Sequence, residues 1–125
     1  MWTYKVDPLI EAVRDVSSKY YIPQTNVSMN EAMIRFHGCS QDTFKMSNKP
    51  TDEGYKTFCL ADCGYIFDFY IVSHSEPTPE VKDIDNLSST SSTVFSFAMS
   101  LPYKYKVFII YMDNYFCNIP LFLKL

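Results

Sequence analysis

The feature that most constrains the fold is a nine-residue run at residues 106–114, KVFIIYMDN. Its β-branched and aromatic residues are typical of a strand that is buried on both faces of a sheet. The run ends on an acid and an amide, Asp113 and Asn114. A second run at residues 56–62, KTFCLAD, also ends on an acid, Asp62. Two buried strands that each end on an aspartate predict a carboxylate site at the edge of a sheet.

Composition limits the class of protein. With 125 residues and 47% apolar residues, the chain is expected to form one globular domain with a modest core. A net charge of -3 argues against a free-standing nucleic-acid binder, which would normally be basic. The longest apolar run, residues 107–112, is too short to span a bilayer, and residues 1–8 lack the apolar core of a secretion signal. We therefore expect no membrane partner and no secretion.

The cysteines form no C-x-x-C pair. We expect Cys39, Cys59, Cys63 and Cys117 to be reduced, small hydrophobes in an intracellular protein. An alternative is a zinc site formed by His37 with three of these cysteines, but the spacings do not match standard zinc sites.

Periodicity and turn signals predict the first elements. Residues 8–20 are expected to form an amphipathic helix, because Asp7 suits the N-cap, Pro8 suits the first turn and apolar residues recur at helical spacing. For residues 27–36 an extended segment is favoured over a short helix. Residues 56–62 and 65–72 are expected to be two strands of a hairpin that turns at Cys63 and Gly64.

The second half is less regular. Residues 74–93 contain two prolines, a Ser/Thr cluster and four acids, which predicts a solvated loop or a disordered insertion. Ser91 or Ser92 is expected to cap a helix over residues 92–101, followed by a strand over residues 105–113. Asn118 and Pro120 are typical of a helix start. The chain ends soon after them without a helix cap, so the sequence reads as cut off within an element.

These elements predict an α/β fold. A hairpin followed by a helical crossover into the same sheet gives a mixed sheet, the opening half of a ribonuclease H-like fold. Its fourth strand pairs in parallel with its first. Taking residues 56–62 as that first strand, we expect Asp62 and Asp113 at the same end of neighbouring strands, with carboxylates roughly 4–8 Å apart. No third strand is evident, since the polar loop takes its place.

Four motifs carry a resemblance to a known family. In order they are NEAMIRFHG, MSNKPTDEGYK, CLADCGY and IIYMDNYFCNIPL. From about residue 27 onward the chain resembles the catalytic domain of piggyBac-type transposases. The resemblance implies a partial ribonuclease H-like domain at residues 27–125, truncated at its C-terminus, after a helical segment at residues 1–26. It further implies a DDE/DDD transposase that uses three aspartates and Mg²⁺ at TTAA sites, a nuclear location, and DNA as the partner of the full-length ancestral protein.

The family's site residues can be carried over one at a time. Asp62 matches the first family aspartate and Asp113 the second, so the resemblance implies that both are catalytic and hold Mg²⁺. The third family aspartate has no counterpart here. Two departures are notable: Asn30 occupies a position where the family usually has an acid, and Cys39 one where it commonly has an arginine.

The expected function follows from those matches and gaps. We expect a fragment or remnant of a transposase, inactive alone, and whether it is an enzyme stays open. One alternative is a domesticated, non-catalytic module that binds DNA or protein; another is a small, unrelated α/β domain.

Each candidate site residue also has a structural alternative. Asp62 suits a hairpin turn and Asp113 a helix cap. Lys45, Lys49 and Lys56 are candidate contacts to DNA phosphates, with a solvated loop as the alternative. For Glu31 a structural salt bridge is favoured over catalysis.

Overall fold

A computed structural model describes residues 3–74 and 84–125 as a mixed α/β structure. In chain order its elements are α1 (Asp7–Tyr20), β1 (Asn26–Arg35), β2 (Phe44–Lys45), β3 (Glu53–Asp62), β4 (Tyr65–Ile71), α2 (Ser89–Ser100), β5 (Ile109–Met112), a 3₁₀ turn (Asn114–Phe116) and α3 (Ile119–Lys124). The predicted first helix, the extended segment, the hairpin and the helix after Asn118 are confirmed. The predicted N-cap of the first helix is wrong, because Val6 occupies the cap without a side-chain hydrogen bond and Asp7 is the first helical residue.

Strand β1 is the centre of the sheet. It pairs antiparallel with β3 on one side and parallel with β5 on the other. Strands β4 and β2 pair antiparallel with the other edge of β3. The sheet is therefore mixed, as the sequence predicted.

The identity of the first strand, however, was predicted wrongly. The segment that pairs in parallel with the last strand is β1, and β3 runs in the opposite direction to both. Strands β1, β3 and β4 form an antiparallel set of three, so the third strand that seemed to be missing is β4. The error came from counting residues 56–62 as the first strand and leaving β1 outside the core sheet.

Strand β5 is also shorter and more exposed than expected. It has four residues instead of the predicted nine, and Ile109 and Tyr111 are 49% and 59% exposed. Within the described residues β5 pairs only with β1, and alternate side chains point away from the packed face. The prediction that this strand is buried on both faces is therefore wrong, because one of its faces is exposed.

The β3–β4 hairpin turns at Cys63 and Gly64, as predicted. Both residues have positive φ, 48° and 82° respectively. Two consecutive residues in this region are typical of the tight turn whose twist matches that of the flanking strands. Asp62 and Tyr65 are then the last paired residues.

The core lies between the sheet and helices α2 and α3. The ring of Phe97 on α2 stacks on that of Tyr70 on β4, with 4.7 Å between the ring centres. The ring of Phe116 meets that of Phe58 on β3 edge-on, with 5.3 Å between the ring centres. The buried apolar cluster consists of Val27, Met29, Phe58, Leu60, Phe67, Tyr70, Val94, Phe97, Leu101, Phe116 and Leu121. Burial of these side chains is the main stabilising contribution to the domain.

Helix α2 begins earlier than expected. Its cap is Ser88, whose hydroxyl accepts a hydrogen bond from the backbone N–H of Ser91 at 3.2 Å, so neither Ser91 nor Ser92 is the cap. Both serines are instead buried within the helix. The predicted polar loop is correspondingly shorter, and its residues 75–83 lie outside the described residues.

Asn118 caps α3, as predicted. Its side-chain oxygen accepts a hydrogen bond from the backbone N–H of Leu121 at 2.8 Å. The four cysteines are all free. Among the described residues, no helix has both the length and the apolarity needed to cross a membrane.

The close approach of β1 and β3 depends on Gly54. A Cβ at this position would lie 1.9 Å from the backbone oxygen of Ile34, so the strands would have to separate. We expect Gly54→Ala to lower the free energy of unfolding by at least about 2 kcal/mol. Gly64→Ala is the matched control: its Cβ would meet nothing within 4 Å, and only the left-handed backbone costs about 1 kcal/mol. Urea denaturation measures both, and equal losses would contradict this packing.

Candidate active-site edge of the sheet

Asn30 and Asp113 are brought side by side by the pairing of β1 with β5. Met29 of β1 is the register partner of Met112 of β5, and the two strands run in the same direction. The next residue on each strand is therefore Asn30 and Asp113, respectively. The parallel pairing stops at this point, so both residues lie at the edge of the sheet where β5 ends.

Both side chains are exposed and bind the adjacent backbone. The Asp113 carboxylate accepts a hydrogen bond from the N–H of Asn114 at 2.7 Å and caps the 3₁₀ turn. The side-chain oxygen of Asn30 accepts one from the N–H of Glu31 at 3.0 Å. The exposed oxygens remain accessible to a ligand from solvent.

Asp62 does not belong to this edge. Asp62 follows Ala61, which is the register partner of Ser28 on β1. Its position on β3 is therefore displaced by about three residues from the level of Asn30. Strand β1 also lies between β3 and β5, so Asp62 is two strands away from β5. In an ideal sheet that separation is about 10 Å along the strands and about 10 Å across them, or about 14 Å between the backbones of Asp62 and Asp113. The expectation that these aspartates end neighbouring strands is therefore wrong.

Asp62 instead anchors the connection between α1 and β1. Although polar, it is only 3% exposed. Its carboxylate accepts hydrogen bonds from the backbone N–H of Gln24 at 2.6 Å and from the hydroxyl of Tyr21 at 3.0 Å. The Gln24 bond is the main reason that the pKa of Asp62 is lowered, with further contributions from Cys63, Tyr21 and the charge of Lys106.

The same connection is held by two further contacts. The Tyr21 ring stacks on Tyr65 of β4 at 4.3 Å, and the Lys106 ammonium donates to the carbonyl oxygen of Pro23 at 2.9 Å. The hydrogen bond to Asp62 also raises the pKa of Tyr21. These contacts join the segment after α1 to the β3–β4 hairpin and to the approach of β5. They assign Asp62 a structural environment.

Glu31, the neighbour of Asn30, forms the structural salt bridge that the sequence analysis favoured. Its two carboxylate oxygens each lie 3.1 Å from an ammonium group, one of Lys49 and one of Lys56. Burial works against the ionised form, but the hydrogen bonds and charges of the two lysines outweigh it and lower the pKa of Glu31. The carboxylate is thereby already neutralised by protein cations.

Lys56 also supports the turn that follows Asp113. Its side chain is 12% exposed, and its ammonium lies 5.1 Å from the centre of the Tyr115 ring and 5.3 Å from that of Phe58. Such a cation over aromatic faces is held in place by the ring electrons. Of the three candidate DNA-contacting lysines, Lys49 and Lys56 thus bind Glu31, whereas Lys45 is exposed on β2.

The residues at this edge do not match the requirements of a magnesium centre. Within residues 3–74 and 84–125, no group of three or more His, Cys, Asp or Glu side chains converges on one point. Asn30 and Asp113 together offer one carboxylate and one neutral amide. Mg²⁺ prefers anionic oxygen ligands, and a two-metal site requires several of them.

Two features of the site were not predicted from the sequence. Asn30 was not placed next to Asp113, although the replacement of an acid by Asn30 was evident. The assignment of residues 27–36 as the first strand of the sheet would have made that connection. The role of Tyr21 was not predicted either, because its partner Asp62 is distant in the chain and the sequence carries no signal for their contact.

Comparisons with known proteins agree with this fold. The family model described as Transposase IS4 matches residues 2–125. A chain of the cryo-EM structure of the piggyBac transposase synaptic complex with hairpin DNA superposes with a TM-score of 0.78 at 19% identity. The match covers 93% of this chain and 23% of that chain. A search of curated proteins finds no match. The likeness shows a ribonuclease H-like fold similar to that of the piggyBac catalytic domain.

The environment of Asp62 predicts an effect on stability that depends on pH. We expect Asp62→Asn to lower the thermal midpoint by several degrees at pH 7, because the ionised acceptor of the Gln24 and Tyr21 hydrogen bonds is lost. A lowered folded-state pKa stabilises the protein above the unfolded value near 3.9, and this contribution is lost as pH falls through the folded-state pKa. The difference between the variant and the native chain should therefore shrink at the lowest pH.

Asp113→Asn is the matched control, since Asn also caps a helical turn. We expect its thermal midpoint to stay close to that of the native chain throughout the pH series. Scanning calorimetry measures both variants. A larger loss for Asp113→Asn than for Asp62→Asn would reverse the roles assigned to the two aspartates.

Proposed function

This chain belongs to the Transposase IS4 family, and we propose that it keeps the sheet of a transposase catalytic domain without a working metal site. It spans 23% of the piggyBac transposase chain that it resembles. DNA strand cleavage and strand transfer are therefore proposed only for the longer, ancestral protein. For the chain itself we propose a transposase-derived, non-catalytic role.

The observation that supports this proposal is the pairing of Asn30 with Asp113. Parallel neighbouring strands deliver these two side chains to one edge, the arrangement in which two carboxylates would share a metal ion. An amide in place of one carboxylate removes a full negative charge from the ligand set. Magnesium affinity depends strongly on that charge, because the ion gives up its hydration waters reluctantly.

We propose different roles for the two aspartates predicted as catalytic. Asp113 is the remaining carboxylate of the ancestral site, and Asp62 is a structural anchor. The buried hydrogen bonds of Asp62 to Gln24 and Tyr21 support the second role. Asn30, rather than Asp62, would then occupy the position of the carboxylate that pairs with Asp113.

DNA binding by the isolated chain is proposed to be weak. The structure that it resembles is a transposase complex with hairpin DNA, and this likeness supports DNA as the partner of the ancestral protein. Here, however, Lys49 and Lys56 neutralise Glu31, and the net charge is -3. Attraction to phosphates requires uncompensated cations on one face. A nuclear location and a domain boundary at residues 26/27 also stay proposals.

Restoring the acid should restore metal binding. We expect the native chain to bind Mn²⁺ only weakly, and Asn30→Asp to bind it on the order of tenfold more tightly, because the second carboxylate adds a charged ligand. Paramagnetic broadening of backbone amide NMR signals near Asp113 measures the binding. In Asn30→Asp the broadening should be centred on residues 29–31 and 112–114.

Two double variants distinguish the competing sites. Adding Asp113→Ala to Asn30→Asp should remove the gained affinity, whereas adding Asp62→Asn should leave it unchanged. The opposite pattern, with Asp62 required and Asn30 irrelevant, would restore the pair predicted from the sequence. Thermal melts of each variant verify that the protein is folded at the temperature of the titration.

The chain alone should not cut DNA. We expect no strand breaks when it is incubated with Mg²⁺ or Mn²⁺ and a duplex that carries TTAA-flanked ends, because a single carboxylate supplies too few ligands and too little charge to retain two metal ions. Denaturing gels of end-labelled DNA measure nicking. Metal-dependent nicking that disappears in Asp113→Ala would refute the non-catalytic role.

A further inference from the structure

Helix α1 lies on β4 with its polar side. Four positions of the helix are half-buried, and they recur every three or four residues on that side: Asp7, Ile10, Arg14 and Ser17. Only Ile10 among them is a large apolar residue. None of the fourteen residues of α1 is buried, and Leu9 on another side is 66% exposed. Burial of apolar surface therefore contributes little to holding α1 on the sheet.

Helix α2 is held in the opposite way. Its side chains Val94 and Phe97 are both 0% exposed and belong to the buried apolar cluster. None of the described residues of that cluster lies on α1. A segment with few buried apolar contacts can open at a lower free energy than the core of the same domain. We therefore expect α2 to unfold only with the core, whereas the core does not impose this requirement on α1.

An ion pair between Arg14 and Asp68 positions α1 on β4. The Nε of Arg14 donates to the carboxylate of Asp68 at 2.7 Å, and a terminal nitrogen of Arg14 donates to the hydroxyl of Tyr70 at 3.2 Å. The guanidinium also lies 4.6 Å from the centre of the Tyr70 ring. Asp68 is only 6% exposed, so its charge depends on this cation as long as α1 covers it. Opening of α1 would let water reach both charges.

The segment that follows α1 is fixed to the β3–β4 hairpin. The hydroxyl of Tyr21 and the backbone N–H of Gln24 donate to Asp62, and the Tyr21 ring stacks on Tyr65. The Tyr65 hydroxyl donates in turn to the carbonyl oxygen of Ser17, in the last turn of α1, at 3.4 Å. These contacts hold the C-terminal end of α1 in place. A movement of the helix away from β4 would therefore pivot near Tyr21.

We propose that α1 opens from β4 and closes again while the sheet and α2 stay folded, and that the Arg14–Asp68 ion pair holds it closed. A helix of this length is marginal without tertiary contacts, so the opened segment should lose its helical hydrogen bonds. Opening uncovers Asp68 and Tyr70 of β4, which are 6% and 5% exposed in the closed structure. The domain thus has a local conformational equilibrium that is independent of its core.

Amide hydrogen exchange of the full native chain, followed by NMR at several low urea concentrations, tests the independent opening. Amides of residues 11–20 should exchange at least about tenfold faster than those of β1 and β3, after correction for intrinsic rates. Their exchange should depend only weakly on urea, because local opening exposes little surface. Two results would overturn the proposal. One is exchange as slow and as urea-dependent as that of the core; the other is exchange at the rate of an unstructured peptide, which means that no closed state exists.

A core variant shows whether α1 opens without the core. We expect Val94→Ala to accelerate the exchange of β1 and β3 amides on the order of tenfold, because a cavity replaces two buried methyl groups. The same variant should leave the exchange of residues 11–20 unchanged, since it destabilises the closed and the opened form equally relative to the unfolded chain. Equal acceleration of both sets of amides would mean that α1 opens only when the whole domain unfolds.

Charge variants test the role of the ion pair. Arg14→Gln should accelerate the exchange of residues 11–20 at least about tenfold, because Asp68 is buried without its cation only while α1 is closed. Lys19→Gln is the matched control: it removes the same charge from an exposed position of α1 and should accelerate the exchange only about twofold. Adding Asp68→Asn to Arg14→Gln should restore part of the protection, because no unpaired charge then remains. If Arg14→Gln has no larger effect than Lys19→Gln, or if Asp68→Asn restores nothing, the ion pair does not hold α1 closed.

Discussion

The pairing of β1 with both β3 and β5 is the constraint on which the rest of the structure depends. One side of β1 is antiparallel and the other is parallel, so this single strand sets the direction of every strand in the sheet. Its register with β5 decides which residues meet at the carboxyl end of β5. Its register with β3 decides how far Asp62 lies from that point. Gly54 permits the close approach at the far end of β1, where any side chain would strike the backbone of Ile34.

Local signals in the sequence predicted most elements, but not which strand lies beside β5. The hairpin at Cys63 and Gly64, the first helix and the cap at Asn118 each depend on a few consecutive residues, and all three were predicted correctly. Strand β1 was harder to assign to the sheet because Glu31 interrupts its apolar face. That acid is accommodated on the packed side only because Lys49 and Lys56 neutralise it, and both lysines come from distant parts of the chain. Because β3 was counted as the first strand in place of β1, Asp62 was predicted to lie beside Asp113.

The two aspartates illustrate how one residue type serves opposite purposes. Asp62 is buried and accepts bonds from Tyr21 and Gln24, which joins α1 to the sheet. Asp113 is exposed and interacts with the following backbone amide. The identity of a residue and its place at a strand end could not separate these environments, because the partners of Asp62 lie about forty residues earlier in the chain. The replacement of an acid by Asn30 was visible in the sequence, but its meaning depended on the register of β1 and β5.

The register of β1 with β5 makes Asn30, and not Asp62, the neighbour of Asp113. Nuclear Overhauser contacts between backbone protons test this register directly, since they report pairs of protons on adjacent strands. This register predicts cross-strand contacts from residues 28–30 to residues 111–113, and none from Asp62 to Asp113. Contacts that join β5 to β3, with Asp62 beside Asp113, would contradict the register, the reassigned site and the non-catalytic role together.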